Sequence, residues 1–237
     1  MKYELQTIPV WKAIEAQPVC LICYLEHESE QRNVTFFLGN SIMAPEMRVK
    51  LNERGFCRRH FHMLAGGSGK LGYSLALRTH MDSVQNRLAG YAEKVRRASG
   101  RGKAKAVAAL REFLEAQERD CLMCDRIAYN VANYVYTVVK LYADEPEFRC
   151  ALAAGKGFCL HHLPALYTMG AEVLAGKNDE QWYAELAALE ERNLTTDREH
   201  LEAFSWQFDY QSEKKTPEAA QDAVPRAVRR LAGYGPR

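Results

Sequence analysis

Cysteine and histidine at short fixed spacings hold soft divalent metals, and this chain writes one such spacing twice. Cys20 and Cys23 form a C-x-x-C pair. After 33 intervening residues come Cys57 and His60, within Gly55-Phe56-Cys57-Arg58-Arg59-His60. Cys121 and Cys124 form a second pair, followed after 34 residues by Cys159 and His162, within Gly157-Phe158-Cys159-Leu160-His161-His162. One arrangement thus accounts for six of the seven cysteines. Cysteines at i and i+3 share a helical face. In a first helical turn the dipole and free amides favour the thiolate. Three sulfurs and one imidazole nitrogen make a closed tetrahedral zinc set.

The spacing predicts two zinc sites, one per half: Cys20, Cys23, Cys57 and His60 in the first, and Cys121, Cys124, Cys159 and His162 in the second. His161 is the weaker alternative to His162, because Arg59 stands at its place in the first copy. An iron–sulfur cluster is the rival cofactor, since three cysteines and a histidine can also ligate iron. Cys150 has no cysteine at its place in the first copy and reads as a buried thiol outside both sites.

Four protein ligands leave no open coordination position, so the pattern points away from a catalytic metal. No nucleophile elbow or H-E-x-x-H occurs. Gly66-Gly67-Ser68-Gly69-Lys70 lacks the spacing of a phosphate loop. His80 and His200 read as hydrogen-bonded helical histidines rather than acid–base groups. Arg58-Arg59 reads first as a solvated face and second as a phosphate contact. These features favour a binding or structural module over an enzyme, with a zinc–thiolate or iron–sulfur redox sensor as the alternative. A protein or a nucleic acid would be its partner.

Such ligands must be positioned by helices, and the rest of the chain reads as helix almost throughout. Val131, Tyr134, Val138 and Leu141 recur at helical spacing, as do Leu77, Met81, Val84, Leu88 and Tyr91. Asn33-Val34-Thr35-Phe36-Phe37-Leu38 is β-prone by composition, but its counterpart in the second copy is helical, and helix is expected there too. Each copy predicts a helix from its C-x-x-C, a short helix near Pro45–Glu53 or Pro146–Ala154, a glycine cap at Gly55 or Gly157, and a helix from Cys57 or Cys159. Gly66–Gly69 and Gly176-Lys177-Asn178-Asp179 read as turns. The expected class is an all-α duplicated helical module, with each half carrying a three-Cys one-His site at helix N-termini.

The halves fall at 1–98 and 99–211 and are expected to pack as one domain, with a polar and basic tail or short helix over 212–237. Ser99-Gly100-Arg101-Gly102-Lys103 between them reads as a flexible basic linker. An apolar fraction of 47% and a charged fraction of 26% suit an ordinary globular core. A net charge of +2 argues for no particular partner by itself. No apolar run approaches a spanning helix. The first residues lack the layout of a signal peptide. A cytoplasmic, reducing location with no membrane role is the expectation, and it favours metal over disulfide for paired cysteines.

The paired G-F-C-x-x-H motifs, Phe36-Phe37-Leu38-Gly39 and Ser205-Trp206-Gln207-Phe208-Asp209-Tyr210 resemble an uncharacterised bacterial family, a domain of unknown function of about this length. The likeness runs from Tyr3-Glu4-Leu5 to Asp222-Ala223-Val224-Pro225-Arg226. The resemblance implies a bacterial origin and a single module of constant length, and implies no activity.

Overall fold

The computed structural model describes residues 2–174, 176, 179–208 and 215–234, with 2–5 as backbone alone. Among these, every regular element is helical: α1 (Lys2–Glu15), α2 (Leu21–Leu38), α3 (Pro45–Arg54), α4 (Arg58–Ala65), α5 (Lys70–Arg97), α6 (Gly100–Arg119), α7 (Leu122–Asp144), α8 (Pro146–Ala154), α9 (Leu163–Leu174), α10 (Asp179–Ser205) and α11 (Ala223–Ala232), with three short 3-10 turns. The β-prone stretch 33–38 closes α2 as helix. Part of the expected turn (Lys177, Asn178), Asp209 and Tyr210, and residues 212–214 and 235–237 of the tail lie outside the described residues.

The same order of elements surrounds both motifs. A helix precedes each C-x-x-C (α1, α6), a long helix carries it on (α2, α7), a short helix starting at proline follows (α3, α8), and a short and a long helix follow the G-F-C motif (α4 and α5, α9 and α10). Proline suits a first helical position, where no amide hydrogen bond is lost. α11 is additional.

The chain divides into two compact units, Met1–His27 with Asn130–Arg237, and Glu28–Tyr129. The boundaries fall inside α2 and α7 rather than at 98/99. A division at 98/99 would part α5 from α6, which pack together as a hairpin joined by Ala98 and Ser99 alone. The expected linker is therefore largely the first turn of α6.

In the first unit, Tyr134, Val138, Leu141 and Tyr142 of α7 line a core with Val10 of α1, Phe148 of α8, Leu166 of α9 and Trp182 of α10. In the second, Phe37, Phe56, Phe61 and His80 form an aromatic chain with successive centroids 4.9, 5.6 and 5.8 Å apart. Phe56 and Phe158 are both wholly buried. Each G-F-C motif thus plants its phenylalanine in a core, which fixes the cysteine that follows. On α5 the buried face is Tyr73, Ala76 and His80, while Met81 and Leu88 are exposed. Apolar spacing alone put that face about one residue off.

Gly55 and Gly157 have φ of +71° and +73°. Gly55 ends α3 with ψ of −151°, which is not the left-handed helical cap expected. α8 is instead closed by Gly155. The positive φ serves close packing: a Cβ at Gly157 would lie 2.3 Å from Glu190 Oε1, and one at Gly55 would lie 2.8 Å from the His80 ring. Only glycine turns the chain there without a clash.

Candidate metal centres

The first unit brings together Cys20, Cys23, Cys159 and His162. The second brings together Cys57, His60, Cys121 and Cys124. The eight expected residues form two sets of three cysteines and one histidine, but the pairing expected within each half is corrected. Each C-x-x-C meets the G-F-C-x-x-H of the other half. The reason is helix length. The 18 residues of α2 rise about 27 Å away from Cys20 at 1.5 Å per residue. The 10 residues of α3 return at most about 15 Å of that.

Both sites are built alike. Cys20 and Cys121 stand just before α2 and α7, and each sulfur accepts a hydrogen bond from the amide three residues on, Cys23 N–H or Cys124 N–H, at 3.4 Å. The next amide docks the helix start on the opposing glycine. Leu21 N–H donates to Gly157 O at 3.3 Å, and Leu122 N–H to Gly55 O at 3.2 Å. Cys57 sits at the N-cap of α4 and puts His60 in its first turn. Cys159 and His162 differ in lying on a turn ahead of α9, closed by the amides of His162 and Leu163 on Cys159 O at 3.0 Å each.

In the first site His162 Nδ1 lies 3.3 Å from Cys23 Sγ, 3.3 Å from Cys159 Sγ and 3.8 Å from Cys20 Sγ, and Cys23 Sγ lies 3.5 Å from Cys159 Sγ. In the second, His60 Nδ1 lies 3.3 Å from each of Cys57, Cys121 and Cys124 Sγ, and Cys57 Sγ lies 3.8 Å from Cys124 Sγ. All donor atoms within a set lie within 4.8 Å of one another. A tetrahedron with zinc–sulfur bonds near 2.3 Å and zinc–nitrogen bonds near 2.0–2.1 Å has edges of about 3.8 Å between sulfurs and about 3.6 Å from sulfur to nitrogen. The individual distances given above fall within a few tenths of an ångström of those edges, and each set could hold one metal ion.

The outward nitrogen of each histidine faces a carboxylate on α2. His60 Nε2 is 3.0 Å from Glu30 Oε1, and Arg59 Nη2 holds Glu30 Oε2 at 2.8 Å. His162 Nε2 is 3.5 Å from Glu26 Oε2, a looser pairing. A carboxylate behind an imidazole fixes the tautomer and makes the inner nitrogen a better donor. Burial alone would lower both histidines. Hydrogen bonds that the imidazoles donate to the thiolates of Cys121 and Cys159, joined at His60 by the one to Glu30, outweigh it and raise each to about 10. Cys121 falls to about 3 through its hydrogen bond to Cys124, against its burial, and Cys159 is lowered likewise through Cys20 and Cys23. Cys124 and Cys23 are correspondingly raised. Each cluster stabilises thiolate and shares the remaining protons, the charge distribution that a dication replaces.

The sites differ in cover. Cys20, Cys23, Cys159 and His162 are all buried. Gly233, at φ +77°, brings backbone so close that a Cβ there would lie 3.4 Å from Cys23 Sγ and 3.5 Å from Cys159 Sγ, and the amide of Tyr234 hydrogen-bonds Cys23. The buried Arg230 of α11 anchors this cover. Its Nη1 donates to the carbonyls of Val19 (3.1 Å), Lys156 (2.5 Å) and Phe158 (3.2 Å), the loops that carry Cys20 and Cys159. Its Nε meets Asp197 Oδ2 at 3.0 Å, and its own carbonyl accepts Leu160 N–H at 2.9 Å. Glu190 adds a bond from Phe158 N–H at 2.7 Å and is raised by burial to about 7. In the second site Cys57 is half-buried and Cys124 exposed.

His161 is exposed and its ring packs on His162 outside the donor set, so it is not the alternative ligand. Cys150, expected buried, is exposed on α8. Of the two arginines read as a solvated face, Arg58 is exposed and pairs with Glu118, while Arg59 braces Glu30. Glu26, Glu30, Arg230 and Gly233 had no visible signal in the sequence. Each acts through a contact distant in the chain.

The fold and the two donor sets define an all-helical protein with paired three-Cys one-His clusters. The whole chain, residues 1–237, matches a family of unknown function, DUF6062, and belongs to it. No curated protein and no solved structure matches.

Proposed function

We propose that the chain is a non-enzymatic zinc protein, a duplicated helical module whose two closed sites pin helix starts to loops and so present its surfaces for binding. The observation that carries this reading is the repeated donor set: three sulfurs and one Nδ1 gathered within 4.8 Å of one another, once in each compact unit. A multi-iron cluster places its ligands on separate irons and needs donors spread more widely than 4.8 Å. With four protein donors, no position is left for substrate or water. Metal analysis of protein purified without oxygen tests the reading. The expected result is a colourless protein with two zinc ions per chain. A brown protein absorbing near about 400 nm, carrying iron and sulfide, overturns it.

The unequal cover predicts unequal release. With a chelator in excess, one equivalent of zinc is expected to leave at least about tenfold faster than the other, since metal leaves a buried site only through local opening. The fast equivalent should be the one lost in a Cys124→Ser variant. Release of both equivalents in one phase would show that cover does not control exchange.

A further inference from the structure

The α5–α6 hairpin runs on past what the second unit buries. Ser83 Oγ and Arg87 Nη1 tie α5 to the Asn52 and Glu53 carbonyls of α3, at 2.9 Å each. Beyond them the two helices lean on each other, with Tyr91 stacked on Phe113 at 4.9 Å and Arg87 over the same ring at 4.6 Å. No residue from 81 to 112 is buried. A helical pair gains little from packing in such a stretch, so its composition is free to answer to something else.

That composition is basic at the tip. From Glu93 to Lys105, Lys94, Arg96, Arg97, Arg101, Lys103 and Lys105 face Glu93 as the one acid, a net +5 in 13 residues. Since the whole chain is +2, the remainder sums to −3. All six cations are exposed. The tip is also held in shape. Glu93 bonds Arg96 at 2.7 Å and also Arg97, and Lys103 Nζ donates to Val95 O at 2.8 Å across the turn. The two-residue connection and these ties keep the six exposed cations together at the adjoining ends of two helices.

We propose that this tip is a docking surface for the phosphate backbone of a nucleic acid, DNA or RNA. Three of the six cations are arginines, whose planar fork matches phosphate oxygens. A concentrated positive patch on an otherwise acidic chain steers a polyanion to one place. Between residues 92 and 106 the chain has no Trp, Phe, Leu, Ile or Met. A helical tip that lies in a lipid surface needs such residues to bury beneath the headgroups. The surface reads charge rather than base sequence, and it shares no residue with either cysteine cluster, so it does not rest on the zinc reading.

Fluorescence anisotropy of the full chain as purified with a labelled 20-base-pair DNA duplex and a labelled 20-nucleotide RNA tests the proposal. Binding to at least one is expected at 50 mM salt, with a log–log salt slope of about −3 to −5 for the duplex. The triple variant Lys94→Glu, Arg101→Glu, Lys105→Glu reverses three cations that make no ion pair with Glu93. It should weaken binding at least about tenfold and flatten the slope. The milder Lys94→Gln, Arg101→Gln, Lys105→Gln should fall between. Circular dichroism and metal content should stay at wild-type values in both. Unequal affinity for the two probes assigns the preferred polymer. No binding to either, binding untouched by the triple variant, or tip-dependent binding confined to phosphatidylserine vesicles would each overturn the proposal.

Discussion

In a Cys57→Ser variant, Cys121 and Cys124 are expected to become reactive to an alkylating reagent while Cys20 and Cys23 stay protected. The substitution removes one sulfur from the set that contains His60, Cys121 and Cys124. A four-ligand structural site that loses a ligand loses most of its affinity, and its binding energy is folding energy. One zinc per chain should remain. The second unit should lose stability on the order of several kcal/mol, comparable to a domain's whole margin. Peptide mapping after alkylation reads the pattern directly. Labelling of Cys20 and Cys23 in place of Cys121 and Cys124 would restore the pairing within halves and refute the exchange seen in the fold. Cys150→Ser is the control. It removes an exposed thiol outside both clusters and should cost well under about 1 kcal/mol.

Arg230→Met should be nearly as damaging, although Arg230 is no ligand. Its guanidinium is buried among three backbone carbonyls and Asp197, with Glu190 Oε2 3.7 Å away. Removing one partner of a buried charge network leaves the others uncompensated, at a cost of about 3–5 kcal/mol. Arg226 also holds Asp197, at 2.8 Å, which limits but does not replace the loss. Arg229, next in sequence, is exposed, its guanidinium 5.1 Å from the Tyr234 ring, and Arg229→Met should stay within about 1 kcal/mol of wild type. Denaturant unfolding compares the two variants. Zinc release from the first site should also speed up in Arg230→Met, because the loops that carry Cys20 and Cys159 lose their shared anchor. Equal stability of the two variants would mean that the arginine is solvated and the cover over the first site is loose.

Much of this protein is legible in its sequence because the signals are local. Helix over nearly the whole chain follows from the spacing of residues such as Tyr134, Val138 and Leu141, each buried on one face of α7. The eight cluster residues follow from i, i+3 spacing written twice, since the atoms of each pair are positioned by a single turn of chain. The division 1–98 and 99–211 also came from local signals, glycines and charge, but Ser99 and Gly100 mark the bend of a hairpin rather than a boundary between bodies. Tertiary structure alone decided which pairs meet. Two identical half-sites can close on themselves or on each other, and local spacing is the same in both cases. The length of α2 against that of α3 tips the balance, a property of rigid helices in three dimensions. The same holds for the residues behind the ligands. Glu30 reaches His60 across 30 positions, and Arg230 reaches Val19 across 211. A buried carboxylate or guanidinium is recognised by its partners, and those partners become neighbours only when the chain has folded.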